Sequence, residues 1–89
     1  MENLNLDSVR EEINSINDEM LALFVRGMEL SAEVAKYKKE NGLPTLDRKR
    51  EEAILQHVAD TTDVEYRQYA LQLFHKMMEL SREYQDTLR

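Results

Sequence analysis

From Leu6 onward, positions recur at alternating steps of three and four through Leu6, Val9, Ile13, Ile16, Met20, Leu23, Gly27, Leu30, Val34 and Tyr37, nearly all of them apolar. That spacing keeps one stripe of a helix facing one way along its whole length and has the form of a heptad seam. Asp7 and Ser8 are candidate capping residues at its start, and Asn41-Gly42 followed by Pro44 is a stop signal. The pattern predicts a helix from about residue 6 to about residue 40, roughly 50 Å long at 1.5 Å per residue. A short second helix is predicted to begin at Leu46 or Asp47 and to end at Asp60, with Ile54, Leu55 and Val58 on one face. Thr62-Asp63-Val64-Glu65 has the form of a capping box. It opens a third predicted helix, with Ala70, Leu73, Phe74, Met77, Leu80, Ser81, Tyr84 and Leu88 at helical spacing.

These elements make the chain all-α: three helices with a long first helix, in a single domain over residues 1–89. A helix of roughly 50 Å is too long for a compact fold of this size, whose radius of gyration should be ~12 Å. A chain this short also buries only about 60–65% of the surface it exposes when unfolded. Both considerations call for a second copy. Antiparallel pairing of two long first helices would use the seam along its whole length and gives an intertwined antiparallel helical homodimer.

Composition narrows the function classes. Two glycines and one proline leave little room for linkers, so few, long elements are expected. There is no cysteine, and His57 and His75 lack a paired ligand spacing, so neither a disulfide framework nor a metal site is expected. Both histidines are assigned to the surface or to ordinary packing, and Met77-Met78 to core filling. A net charge of −6 disfavours nucleic acid and anionic membranes as partners. No apolar run is long enough to span a bilayer, and MENLNLDSVREE has neither the basic segment nor the apolar core of a signal peptide, so a cytoplasmic protein is expected.

Polar residues interrupt the apolar faces at several places. Arg10 and Lys38 each follow a seam residue, and they stand 28 residues apart, roughly 42 Å along one helix. One chain therefore cannot bring both to one small ligand. Two antiparallel copies crossing near Phe24 would set Arg10 of one chain beside Lys38 of the other, twice. Asp47, Arg50 and Glu51 lie at i, i+3 and i+4 on the stripe that continues through Ile54 and Val58. On the third helix Ser81 and Gln85 sit one turn apart, continuing the line of Met77. Singly, each has a plain structural explanation, as a solvated flank, an ion-pair former, a back-bonded serine or a residue at a frayed end. Periodicity alone leads to a helical bundle with a polar pocket.

Taken together and in order, these residues resemble the all-helical chorismate mutase family from Leu6 to about Leu88. LDSVREEINSINDEMLALF resembles the family's opening signature, with Arg10 at its arginine, and ELSAEVAKYK its next block, with Lys38 at its lysine. LDRKREE is similar to the segment that begins the second helix, matching Asp47, Arg50 and Glu51, and MELSREYQ to the final block, matching Ser81 and Gln85. The resemblance implies an isomerase of phenylalanine and tyrosine biosynthesis that rearranges the dianion chorismate to prephenate without a cofactor. Such a pericyclic shift needs a flexible substrate held in its reactive shape and stabilisation of charge developing on the ether oxygen. By resemblance, Arg10 of the partner chain grips a carboxylate, Lys38 contacts the ether oxygen and a carboxylate, and Gln85 donates to the same ether oxygen. Glu51, with backbone near Asp47, receives the ring hydroxyl, while Ser81 and Arg50 support the ring side.

One position departs from the family pattern. Where the family has a second carboxylate-binding arginine, this sequence has Gly27. Its neighbour Arg26 is rotated by about 100° and should point away from the pocket. Reduced activity is the expected consequence. Two alternatives stay open: a lyase acting on isochorismate through a similar pocket, and a helical dimerisation or regulatory module that keeps the scaffold without turnover.

Overall fold

The computed structural model describes residues 5–89. It contains three helices, α1 (Leu6–Glu40), α2 (Arg48–Thr61) and α3 (Val64–Thr87), and no strand among the described residues. The chain is therefore all-helical, with the long first helix that its periodicity predicts. Residues 1–4 of the predicted domain lie outside the described residues. Among the described residues, no helix is long and apolar enough to cross a membrane. The chain divides into two units at Leu30/Ser31, and α1 runs through both.

The first unit carries α1 up to Leu30. Its cap is Asn5, not Asp7 or Ser8: the Asn5 side chain accepts the Ser8 N–H at 3.1 Å, and its carbonyl accepts the Val9 N–H at 3.1 Å. An asparagine at this position satisfies one of the four amides that a helix start leaves unpaired, and so displaces the later candidates. The seam residues Leu6, Ile13, Ile16 and Met20 are about half exposed, and Leu23 is 73% exposed. A row of large apolar side chains left in water at helical spacing is an unfilled contact surface.

The second unit, Ser31–Arg89, holds the last turns of α1 together with α2 and α3. Lys38 and Lys39 place positive charge at the negative end of the α1 dipole. Gly42 then takes φ +63°, and the chain closes as a Schellman motif, with Leu43 N–H donating to the Lys38 carbonyl at 2.8 Å and Gly42 N–H to the Lys39 carbonyl at 3.3 Å. Only glycine adopts that backbone without strain. Asp47 caps α2, its carboxylate accepting the Arg50 N–H at 3.0 Å, so the helix begins one residue later than Asp47 and ends at Thr61.

The predicted capping box at Thr62 does not form. The Thr62 hydroxyl donates to the Val58 carbonyl at 2.6 Å and so finishes α2, while Asp63 takes the cap position of α3 with no side-chain bond. The turn is tied further by Thr61 donating to the His57 carbonyl at 2.7 Å and by Arg67 Nη2 donating to the Thr62 carbonyl at 3.0 Å. α2 and α3 pack on each other across this two-residue turn. Val58 is buried and Ile54, Leu55, Leu71, Phe74 and Met77 are half-buried, while His57 and His75 are exposed. On the outer face of α3, Lys76 donates to Glu79 at 2.6 Å. That hydrogen bond, and then the attraction of the charges, holds the Glu79 carboxyl below and the Lys76 ammonium above its ordinary pKa.

Candidate functional site

Buried side chains among the described residues are few: Ala35, Val58 and Gln85. The polar member is the informative one. Gln85 is 6% exposed near the end of α3, where its Nε2 donates to Ser81 Oγ at 3.0 Å and its Oε1 has no hydrogen-bond partner. One turn back, Ser81 Oγ lies 2.7 Å from Ser31 Oγ on α1. A polar line Ser31–Ser81–Gln85 thus runs between two helices where aliphatic packing would serve stability better. An unsatisfied buried carbonyl costs about 1–3 kcal/mol, so a glutamine held here works against stability where an aliphatic side chain would not.

Lys38 lies at the same end of this unit. Its Nζ donates to the Thr45 carbonyl at 2.6 Å, and the Thr45 hydroxyl donates to Asp86 Oδ1 at 2.6 Å, one residue from Gln85. Arg89 closes the group, with Nη1 donating to Thr45 Oγ1 at 3.0 Å and Nη2 to the Leu43 carbonyl. The loop after α1 is therefore held from both sides, by α1 and by the end of α3.

On α2, Glu51 is half-buried and its Oε2 lies 2.9 Å from Arg82 Nε. The N–H of that nitrogen is not aimed well enough to make a hydrogen bond, so the pair is a charge contact that leaves the shielded Nε–H unpartnered. The second carboxylate oxygen of Glu51 remains an acceptor. The Asp47 carbonyl takes the Glu51 N–H at 3.0 Å, and both Asp47 and Arg50 have exposed side chains. Arg50 stands at a shallow groove with Ile54, His57, Val58 and Phe74. The larger open concavity, with Leu55, Val64, Leu71 and His75 on its walls, contains none of the predicted site residues.

Arg10, Arg26 and Gly27 belong to the first unit. All are exposed, and the Arg26 guanidinium lies 3.8 Å from Glu29 on the same helix. A Cβ built on Gly27 meets nothing within 4 Å. Ser31, Thr45, Arg82, Asp86 and Arg89 were not among the sequence-predicted residues. Ser31 carries a usable signal, since it is a small polar residue beside the seam. Among the described residues, no group of three or more His, Asp or Glu could hold a metal ion.

The model of the family described as chorismate mutase type II matches residues 9–86 of this chain. The chain belongs to that family. A protein named T-protein from Haemophilus influenzae is 41% identical over 51 residues, which are 57% of this chain but 14% of that protein, so the chain corresponds to a small part of its relative. A solved structure described as a conserved hypothetical protein from Pyrococcus furiosus superposes with a TM-score of 0.77 at 32% identity, covering 93% of this chain and 97% of the other. As a type II chorismate mutase family member, the chain places the polar groups of its second unit on the matched region, from Lys38 through Gln85.

Proposed function

We propose that this chain converts chorismate to prephenate, as a homodimer with two equivalent sites shared between the chains. Each site combines Arg10 of one chain with Lys38, Asp47, Arg50, Glu51, Ser81 and Gln85 of the other. Family membership and the exposed seam of α1 support this reading, and one observation carries it: Gln85 is buried beside Ser81, close to the loop that receives Lys38, with one amide N–H given to Ser81 and a second left to donate.

The reaction breaks the ether C–O bond and forms a C–C bond in one concerted step, so no proton has to be moved and no covalent intermediate arises. What the protein supplies is shape and charge. Arg10 holds a substrate carboxylate. Lys38, one of whose three donors goes to Thr45, directs the others to the ether oxygen and a carboxylate. Gln85 has a second N–H beyond the one given to Ser81, and donates it to the same oxygen. Each such donor aimed at developing charge contributes on the order of 10²–10³ in rate. Glu51 accepts the ring hydroxyl on its free oxygen, in the orientation that Arg82 gives it.

Gly27 leaves one substrate carboxylate without the arginine that the resemblance leads one to expect, so the activity is reduced. The experiment is prephenate formation by the purified protein, with isochorismate assayed alongside. Prephenate above the uncatalysed rate supports the reading. A folded protein that yields none defeats it, and pyruvate release from isochorismate would move the assignment to the lyase.

A further inference from the structure

We propose that Thr45 is a positioning residue: fixed by Asp86 and Arg89, its carbonyl anchors the Lys38 ammonium at the site. The inference rests on the chorismate mutase reading for its catalytic consequence, but not for the anchor itself. Thr45 makes three polar contacts, and their polarity is consistent. Its hydroxyl donates to Asp86 Oδ1 at 2.6 Å and accepts from Arg89 Nη1 at 3.0 Å, which settles the direction of the hydroxyl hydrogen. Its carbonyl accepts from Lys38 Nζ at 2.6 Å, a short charge-assisted bond. Arg89 also donates to the Leu43 carbonyl, and Leu43 N–H to that of Lys38, so residues on either side of Pro44 are pinned.

A lysine is a point charge on a flexible four-carbon stem, and it loses much rotamer freedom when a single geometry is required of it. A carbonyl held in place by a clamped loop removes that freedom before substrate arrives, which is the pre-organisation a donor aimed at developing charge needs. Arg10 grips a carboxylate independently of this loop, whereas the contact to the ether oxygen depends on where the Lys38 ammonium is held, so loosening the loop should lower turnover as well as weaken the carboxylate contact that Lys38 makes. Thr45→Val keeps the shape and removes both hydroxyl bonds, freeing the carbonyl to turn. Thr45→Ser keeps them.

The test is steady-state kinetics of the unaltered chain, Thr45→Val, Thr45→Ser and Arg89→Ala, with thermal melts to establish folding. Protection of the Lys38 ammonium protons from water exchange is measured by nitrogen-detected magnetic resonance. Thr45→Val is expected to lower kcat on the order of tenfold to a hundredfold, with a smaller rise in KM, Arg89→Ala to act in the same direction, and Thr45→Ser to restore most of the rate. The Lys38 ammonium signal should be protected in the unaltered chain and in Thr45→Ser and lost in Thr45→Val. Unchanged kcat in Thr45→Val, equal impairment in Thr45→Ser, a loss confined to KM, or protection that survives Thr45→Val would each overturn the proposal. If the unaltered chain forms no prephenate, the functional reading fails instead, and ammonium protection alone decides the anchor.

Discussion

Restoring an arginine at position 27 should raise activity, and the structure allows its terms to be separated. A Cβ at Gly27 meets nothing within 4 Å, and Gly42 is the glycine that takes a positive φ, so Gly27 can be replaced without steric or backbone cost inside its own chain. Replacing a mid-helix glycine stabilises α1 by roughly 0.8–1 kcal/mol for alanine and somewhat less for arginine. Only arginine adds a guanidinium for a substrate carboxylate. A hydrogen bond to a charged group contributes roughly 1.5–3 kcal/mol, and about 1.4 kcal/mol is tenfold in rate, so kcat/KM should rise by at least on the order of tenfold.

Gly27→Ala is the control. It should raise the melting temperature while leaving kcat/KM within about twofold, because it supplies the helix term and no donor. The opposing effect in Gly27→Arg is a cation on the seam, where a second copy would cover it; without ligand that charge can lower stability even as turnover improves. Arg26→Ala should matter little, since its guanidinium sits in solvent beside Glu29 and about 100° around the helix from position 27. The assay is prephenate formation with each variant, together with melts. If Gly27→Arg leaves kcat/KM unchanged while Arg26→Ala abolishes it, the carboxylate is held from the neighbouring position and the placement of the pocket is wrong.

Sedimentation equilibrium at micromolar concentration should find a dimer, because the seam of α1 leaves Ile13, Ile16, Met20 and Leu23 uncovered; a well-folded monomer would remove the shared site. Mixing an Arg10→Ala chain with a Lys38→Ala chain should regain activity that neither parent has, since each heterodimer contains one intact site. Absence of recovery after verified chain exchange would rule that arrangement out. Gln85→Leu should lower kcat on the order of 10²-fold or more without lowering the melting temperature, because it removes an unpartnered buried carbonyl while Ser81 keeps Ser31. A large fall in melting temperature would instead make Gln85 a structural residue.

Helix placement was legible because it depends on local periodicity. The seam of α1 and the Asn41-Gly42 stop mark that element to within about a residue, the usual uncertainty of helix ends. The caps were less so. Thr62 can serve either the carbonyls of the helix it ends or the amides of the helix it precedes, and the sequence motif is the same in both cases. The geometry of a two-residue turn decides between them, giving its hydroxyl to Val58. At the start of α1 the cap is Asn5, one step before the apolar series, whereas Asp7 and Ser8, equally good capping residue types, lie inside the helix.

The site divides along the same line. Ser81 and Gln85 could be found because a polar residue on an apolar stripe breaks a pattern, and Gln85 is indeed among the few buried side chains. Thr45, Asp86 and Arg89 break no pattern: a loop threonine and two charged residues near a helix end look like ordinary surface. Their meaning arises from pairings across 41 and 44 residues, which no local spacing encodes. The resulting distribution is uneven within the second unit. Hydroxyl, amide and ammonium groups gather where α1 and α3 end, and there they bond to one another, whereas the open concavity nearer the α2–α3 turn sets Leu55, Val64 and Leu71 among Arg67, Gln68, Gln72, His75 and Lys76. A scaffold selected for helix pairing alone has no reason to keep a buried amide oxygen unpaired at one end, since leucine there would avoid a penalty of about 1–3 kcal/mol. Its cost is understandable if a polar ligand meets that end of α3, and the Gln85→Leu variant separates that explanation from simple tolerance.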